Sequence, residues 1–243
     1  MRLRNTPKPV RKAFPFVLYN LLAACLPTAS PNQFFERNVY DRGMGCAAAP
    51  DVTAFILAGG KSTRMGRDKA LVELEGQTLL ARTLDLARSV ALDVRIVGDG
   101  KKFVSFAPVV EDIFRDRGPL GGIHAALRAS HTDLNLMLAV DMPFVSAAFL
   151  KYLTRQARSA LEVAVVVPRT GERWQPLCAV YRPEFAEAAE TALLAGQNKI
   201  DLLFAARKTR VIGEDELKRG GFSPEIFRNV NTPKELEAGQ RSS

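Results

Sequence analysis

The residues whose types and spacing could do chemistry gather first in Leu57-Ala58-Gly59-Gly60-Lys61-Ser62-Thr63-Arg64-Met65-Gly66-Arg67-Asp68-Lys69-Ala70. Its glycines permit positive φ and let backbone N–H groups close on a ligand, while Lys61, Arg64, Arg67 and Lys69 supply positive charge. Such a loop is built to hold phosphate. It is neither G-x-G-x-x-G nor G-x-x-x-x-G-K-[ST], and a glycine turn alone is more often structural than functional. No turn type, however, calls for an Arg and a Lys at these places. The second candidate is Asp141-Met142-Pro143, at the end of the apolar run Leu134–Val140. In open parallel sheets ligands bind beyond the carboxyl ends of strands, so an Asp there faces the crevice. A hard cation such as Mg²⁺ prefers carboxylate oxygen and takes its other ligands from water and substrate phosphate. The competing role for Asp141, capping the helix that opens near Ser146, is weaker because Ser146 is itself an N-cap residue and lies nearer.

These residues need a scaffold that ends several strands at one edge. From Asp51 onward, apolar β-rich runs alternate with amphipathic helical patterns. Strands are expected at Val52–Ala58, Val94–Val97, Pro108–Val110, Leu134–Val140, Val163–Val167 and Pro176–Tyr181, and helices at Thr78–Val90, Pro119–Ala129, Ser146–Ala157, Glu184–Leu194 and Lys199–Ala206. Short continuous apolar strands joined by helices predict an α/β fold, a mostly parallel sheet sandwiched by helices. Glu214–Lys218 and Pro233–Ala238 read as short terminal helices, the stretch 208–228 as otherwise irregular, and 239–243 as a tail.

The long motif L-A-G-G-x-S-x-R-M-G-x-D-K resembles that of the nucleotidyltransferases with a GT-A-like, Rossmann-like fold. Among them it most resembles the molybdenum cofactor guanylyltransferases, of the MobA-like NTP transferase family. The resemblance spans roughly residues 52–238 and recurs in order at Asp112, Arg117-Gly118-Pro119-Leu120-Gly121-Gly122, Ala139-Val140-Asp141-Met142-Pro143 and Asn229-Val230-Asn231-Thr232-Pro233. It implies that Leu57, Ala58, Gly59 and Gly60 wrap a guanine nucleotide, that Lys69 and Arg64 meet its phosphates, that Asp112 contacts the nucleotide and that Asp141 binds Mg²⁺. The reaction implied is transfer of GMP from GTP to molybdopterin with release of pyrophosphate.

The resemblance also associates two charged turns with the pterin acceptor. Arg173 and Lys199 would balance its phosphate, with Trp174 placed either to stack on the pterin or to pack. In the C-terminal motif Thr232, Pro233 and Glu235 have a structural cause as cap, first turn and capping box, which leaves Asn231 for the site. The family's asparagine after the second strand falls at Gly98, and Asp99 is its candidate substitute. His124 and His131 have no ligand spacing.

The chain has 243 residues, 47% of them hydrophobic and 25% charged, enough for one substantial core. Of the formal charge of +8, residues 1–50 carry +5, which argues against a nucleic-acid partner for the remainder. Cys25, Cys46 and Cys178 are too few and too dispersed for a disulfide framework or a zinc site. Basic residues followed by the apolar run 13–26 outline a secretory signal, and Leu22-Ala23-Ala24-Cys25 a lipoprotein processing box. Pro15, Tyr19 and Asn20 interrupt that run, which is also too short to span a bilayer. Residues 1–50 are therefore expected to be a disordered extension or an over-extended start before Met44, and 51–238 the catalytic domain. The whole is expected to be cytoplasmic with no stable membrane association, and to hand its product to molybdoenzymes or cofactor-delivery proteins. The alternatives are a cytidylyltransferase acting on the pterin or another phosphorylated metabolite, a non-catalytic nucleotide-binding module, and a lipid-anchored envelope protein.

Overall fold

A computed structural model describes residues 49–59 and 68–230. Gly60, Arg64, Asn231, the Pro233–Ala238 helix, the tail and all but the last two residues of the 1–50 extension lie outside the described residues.

The first strand, β1 (Ala49–Leu57), sends Val52, Ala54 and Ile56 to one face and Phe55 and Leu57 to the other, all of them buried. Both faces are apolar because both are covered, as a strand central to a parallel sheet requires. A 3-10 turn (Lys69–Leu71) leads into the hairpin β2 (Glu73–Leu74) and β3 (Gln77–Thr78). Its turn residues Glu75 and Gly76 have φ of 51° and 77°, the positive pair that a tight hairpin of matching twist demands. Thr78 then caps α1 (Leu79–Arg88), its hydroxyl accepting from the Ala81 N–H at 3.1 Å.

Next come β4 (Ala91–Val97), the single turn α2 (Gly100–Phe103), β5 (Val109–Val110), α3 (Pro119–Ala129) and β6 (Leu134–Ala139). Gly118 precedes α3 at φ 67° and Pro119 opens it, so a left-handed residue and a fixed φ together set the helix entry. The chain continues through α4 (Ala147–Ser159), β7 (Val165–Thr170), β8 (Arg173–Trp174), β9 (Cys178–Tyr181), α5 (Phe185–Leu194), α6 (Asp201–Ala206), β10 (Thr209–Ile212) and α7 (Glu214–Arg219). A second 3-10 turn spans Pro224–Phe227.

The described strands of the main sheet lie in the order β10-β7-β9-β6-β1-β4-β5, with β8 paired to β7 alone. Neighbours β5, β4, β1 and β6 are parallel, as are β7 and β10, while β9 runs against both β6 and β7. One core layer sits under α1 and α4 and holds Ile56, Leu80, Leu136, Phe149 and Val180. The other sits under α3 and α5 and holds Phe55, Ile123, Met137, Tyr181 and Phe185. The expected α/β sandwich is therefore observed.

Two readings need correction. The stretch 208–228 is not irregular apart from a helix, since it contributes β10 as the edge strand beside β7. Of Thr209–Ile212 only Ile212 is fully buried, so an edge strand left no apolar run to read. The run 176–181 is a strand only from Cys178, and it is antiparallel. Among the described residues no helix is long and apolar enough to cross a membrane.

Candidate active site

Because β1, β4, β5 and β6 share one direction, their carboxyl ends meet at one edge, and the backbone knits the turns there together. The Ala58 N–H donates to the Val97 carbonyl, and the Gly98 N–H to that of Val110, both at 3.0 Å. Leu57, Ala58 and Gly59 thus pass directly beside the exit of β4, with Gly59 exposed. The start of α3 closes on the same point. A Cβ at Gly122 would lie 3.1 Å from Leu57 Cδ2, 3.4 Å from Val97 Cγ1 and 3.5 Å from Asp112 Oδ1. Glycine gives the helix start room for this close approach to the strand end, and a larger residue would press on all three side chains.

Asp112 stands at this junction. Its Oδ1 is buried with no hydrogen-bond partner among the described residues, and burial pushes its carboxyl above the ordinary carboxylate value. A desolvated acceptor without a donor is costly, and an N–H or O–H brought by a ligand would offset that cost.

On the other side of β1, Lys69 Nζ donates to Asp141 Oδ2 at 2.8 Å across 72 residues of chain. Both side chains are about four-fifths shielded, at 18% and 23% exposure. Lys69 is aimed by its own turn: Asp68 Oδ1 accepts from the Ala70 N–H at 3.1 Å, and Asp68 Oδ2 pairs with Lys102 Nζ at 3.2 Å. Asp141 leaves the end of β6, and its carbonyl accepts from the Val230 N–H at 3.0 Å. Val230 is buried with Leu74 and Leu79. The chain is therefore pinned beside Asp141 at the residue before Asn231. Ser146, not Asp141, caps α4, accepting from the Phe149 N–H at 3.2 Å.

The turn after β4 is built around Asp99. This candidate substitute for the family's asparagine is exposed, and its carboxylate accepts from the Lys101 N–H at 2.9 Å and caps α2. The space beside Gly98 is taken by Phe103, whose ring carbons would lie 3.2 Å from an added Cβ. Lys102 and Phe103 are participants that sequence reasoning missed, because a four-residue helix carries no periodicity. Glu111 is exposed and accepts from the Gly100 N–H at 3.3 Å.

The first of the two charged turns also belongs to this edge. β7 runs parallel to β6 through their shared antiparallel neighbour, so the turn from Thr170 to Arg173 projects beyond the carboxyl edge. Lys199 lies in the segment between α5 and α6. Arg173 and Lys199 are both exposed. Trp174 packs: its ring centroid is 5.0 Å from that of Phe204, and the Arg169 guanidinium lies over the same ring at 5.1 Å from the centroid. His124 is buried between α3 and α5, edge-on to Phe114 at 5.1 Å, and burial lowers its pKa.

Comparison with known proteins agrees with this geometry. The profile of the MobA-like NTP transferase domain matches residues 54–211. A probable molybdenum cofactor guanylyltransferase of Pelotomaculum thermopropionicum is 34% identical over 186 residues, covering 76% of this chain and 89% of the relative. A molybdenum cofactor guanylyltransferase of Desulfosudis oleivorans is 34% identical over 194 residues, covering 78% and 94%. In structure, the molybdopterin-guanine dinucleotide biosynthesis protein A of Archaeoglobus fulgidus superposes with a TM-score of 0.67 at 27% identity, covering 78% of this chain and 97% of that one.

Proposed function

This chain belongs to the MobA-like NTP transferase family, and on that premise we propose that it transfers GMP from GTP to molybdopterin, forming the guanine dinucleotide cofactor and releasing pyrophosphate. The observation that carries the reading is the Lys69–Asp141 pair held at the carboxyl edge of the sheet, beside the Ala58-Gly59 turn. An ammonium so fixed meets a polyphosphate directly, and the carboxylate beside it would do so through a bound divalent cation.

An oxygen of the pterin's terminal phosphate bonds to the α-phosphorus of GTP as the bond from that phosphorus to the bridging oxygen breaks, and the electron pair leaves with pyrophosphate. The nucleophile is already ionised, so no general base is required, and none is found in the motifs. Leu57, Ala58, Gly59 and Gly60 wrap the nucleotide, Asp112 accepts a hydrogen bond from it, and Lys69 with Arg64 offsets charge on the departing phosphates. Arg173, Lys199 and Asn231 receive the acceptor.

Asp141 suits a hard cation. It offers carboxylate oxygen at a strand end, and among the described residues no three His, Cys, Asp or Glu side chains gather, so water and phosphate would complete the shell. Mg²⁺ bound there would withdraw charge from the α-phosphate. Both substrates are metabolites of the cell interior, which places the reaction in the cytoplasm, with molybdoenzymes or cofactor-delivery proteins as recipients of the product.

The test is incubation with Mg²⁺, molybdopterin and either GTP or CTP, followed by pyrophosphate release. Release with GTP alone is expected. Equal or preferred use of CTP would overturn the guanylyl assignment in favour of a cytidylyltransferase.

A further inference from the structure

We propose that Glu214 is a positioning residue for the acceptor turn: its carboxylate holds the backbone of Gly171 and thereby sets where Arg173 points. The inference rests on the proposed acceptor role of Arg173 and adds a residue that no motif singled out.

The turn Thr170-Gly171-Glu172-Arg173 joins β7 to β8 through two residues, with Thr170 paired to Arg173 across the hairpin. Gly171 has φ 54° and Glu172 is not among the residues of positive φ, the pattern of a hairpin turn with glycine at its first central position. In such a turn the closing hydrogen bond runs between the flanking residues, so the N–H of the first central residue points outward and must find another acceptor. Here it donates to Glu214 Oε1 at 2.6 Å, a short, charge-assisted bond.

Glu214 is placed to do this by topology. β10 is parallel to β7 and adjacent to it, so α7, which begins one residue after the intervening Gly213, starts beyond the same carboxyl edge from which the hairpin projects. α7 is itself anchored. Glu216 accepts from Tyr152 Oη at 2.7 Å and from Arg210 Nη2 at 2.6 Å, tying the helix to α4 and to β10, and Leu217 is fully buried. The hairpin is braced from its other side as well: Arg169 donates to the Gly171 carbonyl at 3.1 Å and to Glu172 at 2.7 Å, and Gln175 donates to Thr170 Oγ1 at 3.1 Å. Glu214 alone among these contacts fastens the tip to a separate element. Without it the two-residue tip is held only by its own strands, and Arg173, the next residue but one, samples a wider range.

The experiment compares wild type, Glu214→Ala, Glu214→Gln and Arg173→Ala for KM of molybdopterin, KM of GTP and kcat. Glu214→Ala is expected to raise the molybdopterin KM about three- to tenfold, with the GTP KM and kcat at saturation unchanged. Glu214→Gln keeps an amide oxygen to accept the Gly171 N–H, and is expected to stay within about twofold of wild type. The unchanged GTP KM, with an unchanged thermal midpoint, serves as the control for folding. Equal effects on both KM values, an effect on kcat alone, or no effect of Glu214→Ala would overturn the positioning role. Failure of Arg173→Ala to raise the molybdopterin KM would instead overturn the acceptor assignment on which the role rests.

Discussion

Asp141 and Asp112 are both carboxylates at strand ends, yet their surroundings set them to different work. Asp141 has a cation at 2.8 Å, whereas Asp112 has a buried oxygen with no donor among the described residues. Asp141→Ala is expected to cut turnover by about 100-fold or more, the scale of losing a group that meets developing charge. Because the Lys69 pair is largely shielded, losing one partner should also cost about 1–3 kcal/mol of stability, a small thermal shift beside a loss of pyrophosphate release that persists at temperatures where the variant is folded. Asp112 gives a pH-dependent prediction. Its folded pKa is raised by burial, so folding favours the protonated form; the stabilisation this brings is fully present below the unfolded pKa and is lost as pH rises through the folded value. Asp112→Asn should therefore unfold a few degrees higher than wild type at neutral pH, with the gap closing as pH falls below the carboxylate range. A gap independent of pH would refute the assignment, and weaker GTP binding in the same variant would show what the buried charge is kept for.

At the scale of elements, the turns around the crevice are fitted by glycine on one side and filled by an aromatic on the other. A Cβ at Gly121 would meet the Phe114 carbonyl oxygen at 2.8 Å, so Gly121→Ala must push the loop containing Asp112 away from α3. A loss of about 1–3 kcal/mol is expected by denaturant titration, with a raised GTP KM. Restoring the family's asparagine through Gly98→Asn should likewise harm rather than help, by about 1–2 kcal/mol, because Phe103 is buried and its ring cannot swing out. A double variant with Phe103→Leu should recover part of that loss, measured in the same titration. What was legible here follows from the physics of each element. β1 and β6, buried on both faces, announce themselves as apolar runs, and the glycine-rich motif follows β1 directly in the sequence. β10 and α2 do not, the first because an edge strand buries little and the second because one helical turn has no period. The direction of β9 is a property of topology rather than of composition. The Lys69–Asp141 contact joins residues 72 apart, which no local pattern can reveal.

For the molecule as a whole, the two core layers make Cys178 a reporter of global opening. Its side chain is fully buried and burial pushes its thiol far above the ordinary value, so alkylation with iodoacetamide should leave it unmodified in the native protein and label it only on unfolding, as mass spectrometry would record. Labelling of native protein at the rate of a free thiol would contradict the packing. The same sheet order dictates when it can be completed. β7 takes β8, β9 and β10 as its partners, and each of them follows it in the chain. On a ribosome adding about 5–20 residues per second, the valines of β7 emerge before any strand that will pair with them exists. For roughly 2–8 seconds, until residue 212 is made, the nascent chain carries an unsatisfied strand edge. The strand that leads into the Gly171 turn thus stays open to a chaperone for the whole of that interval.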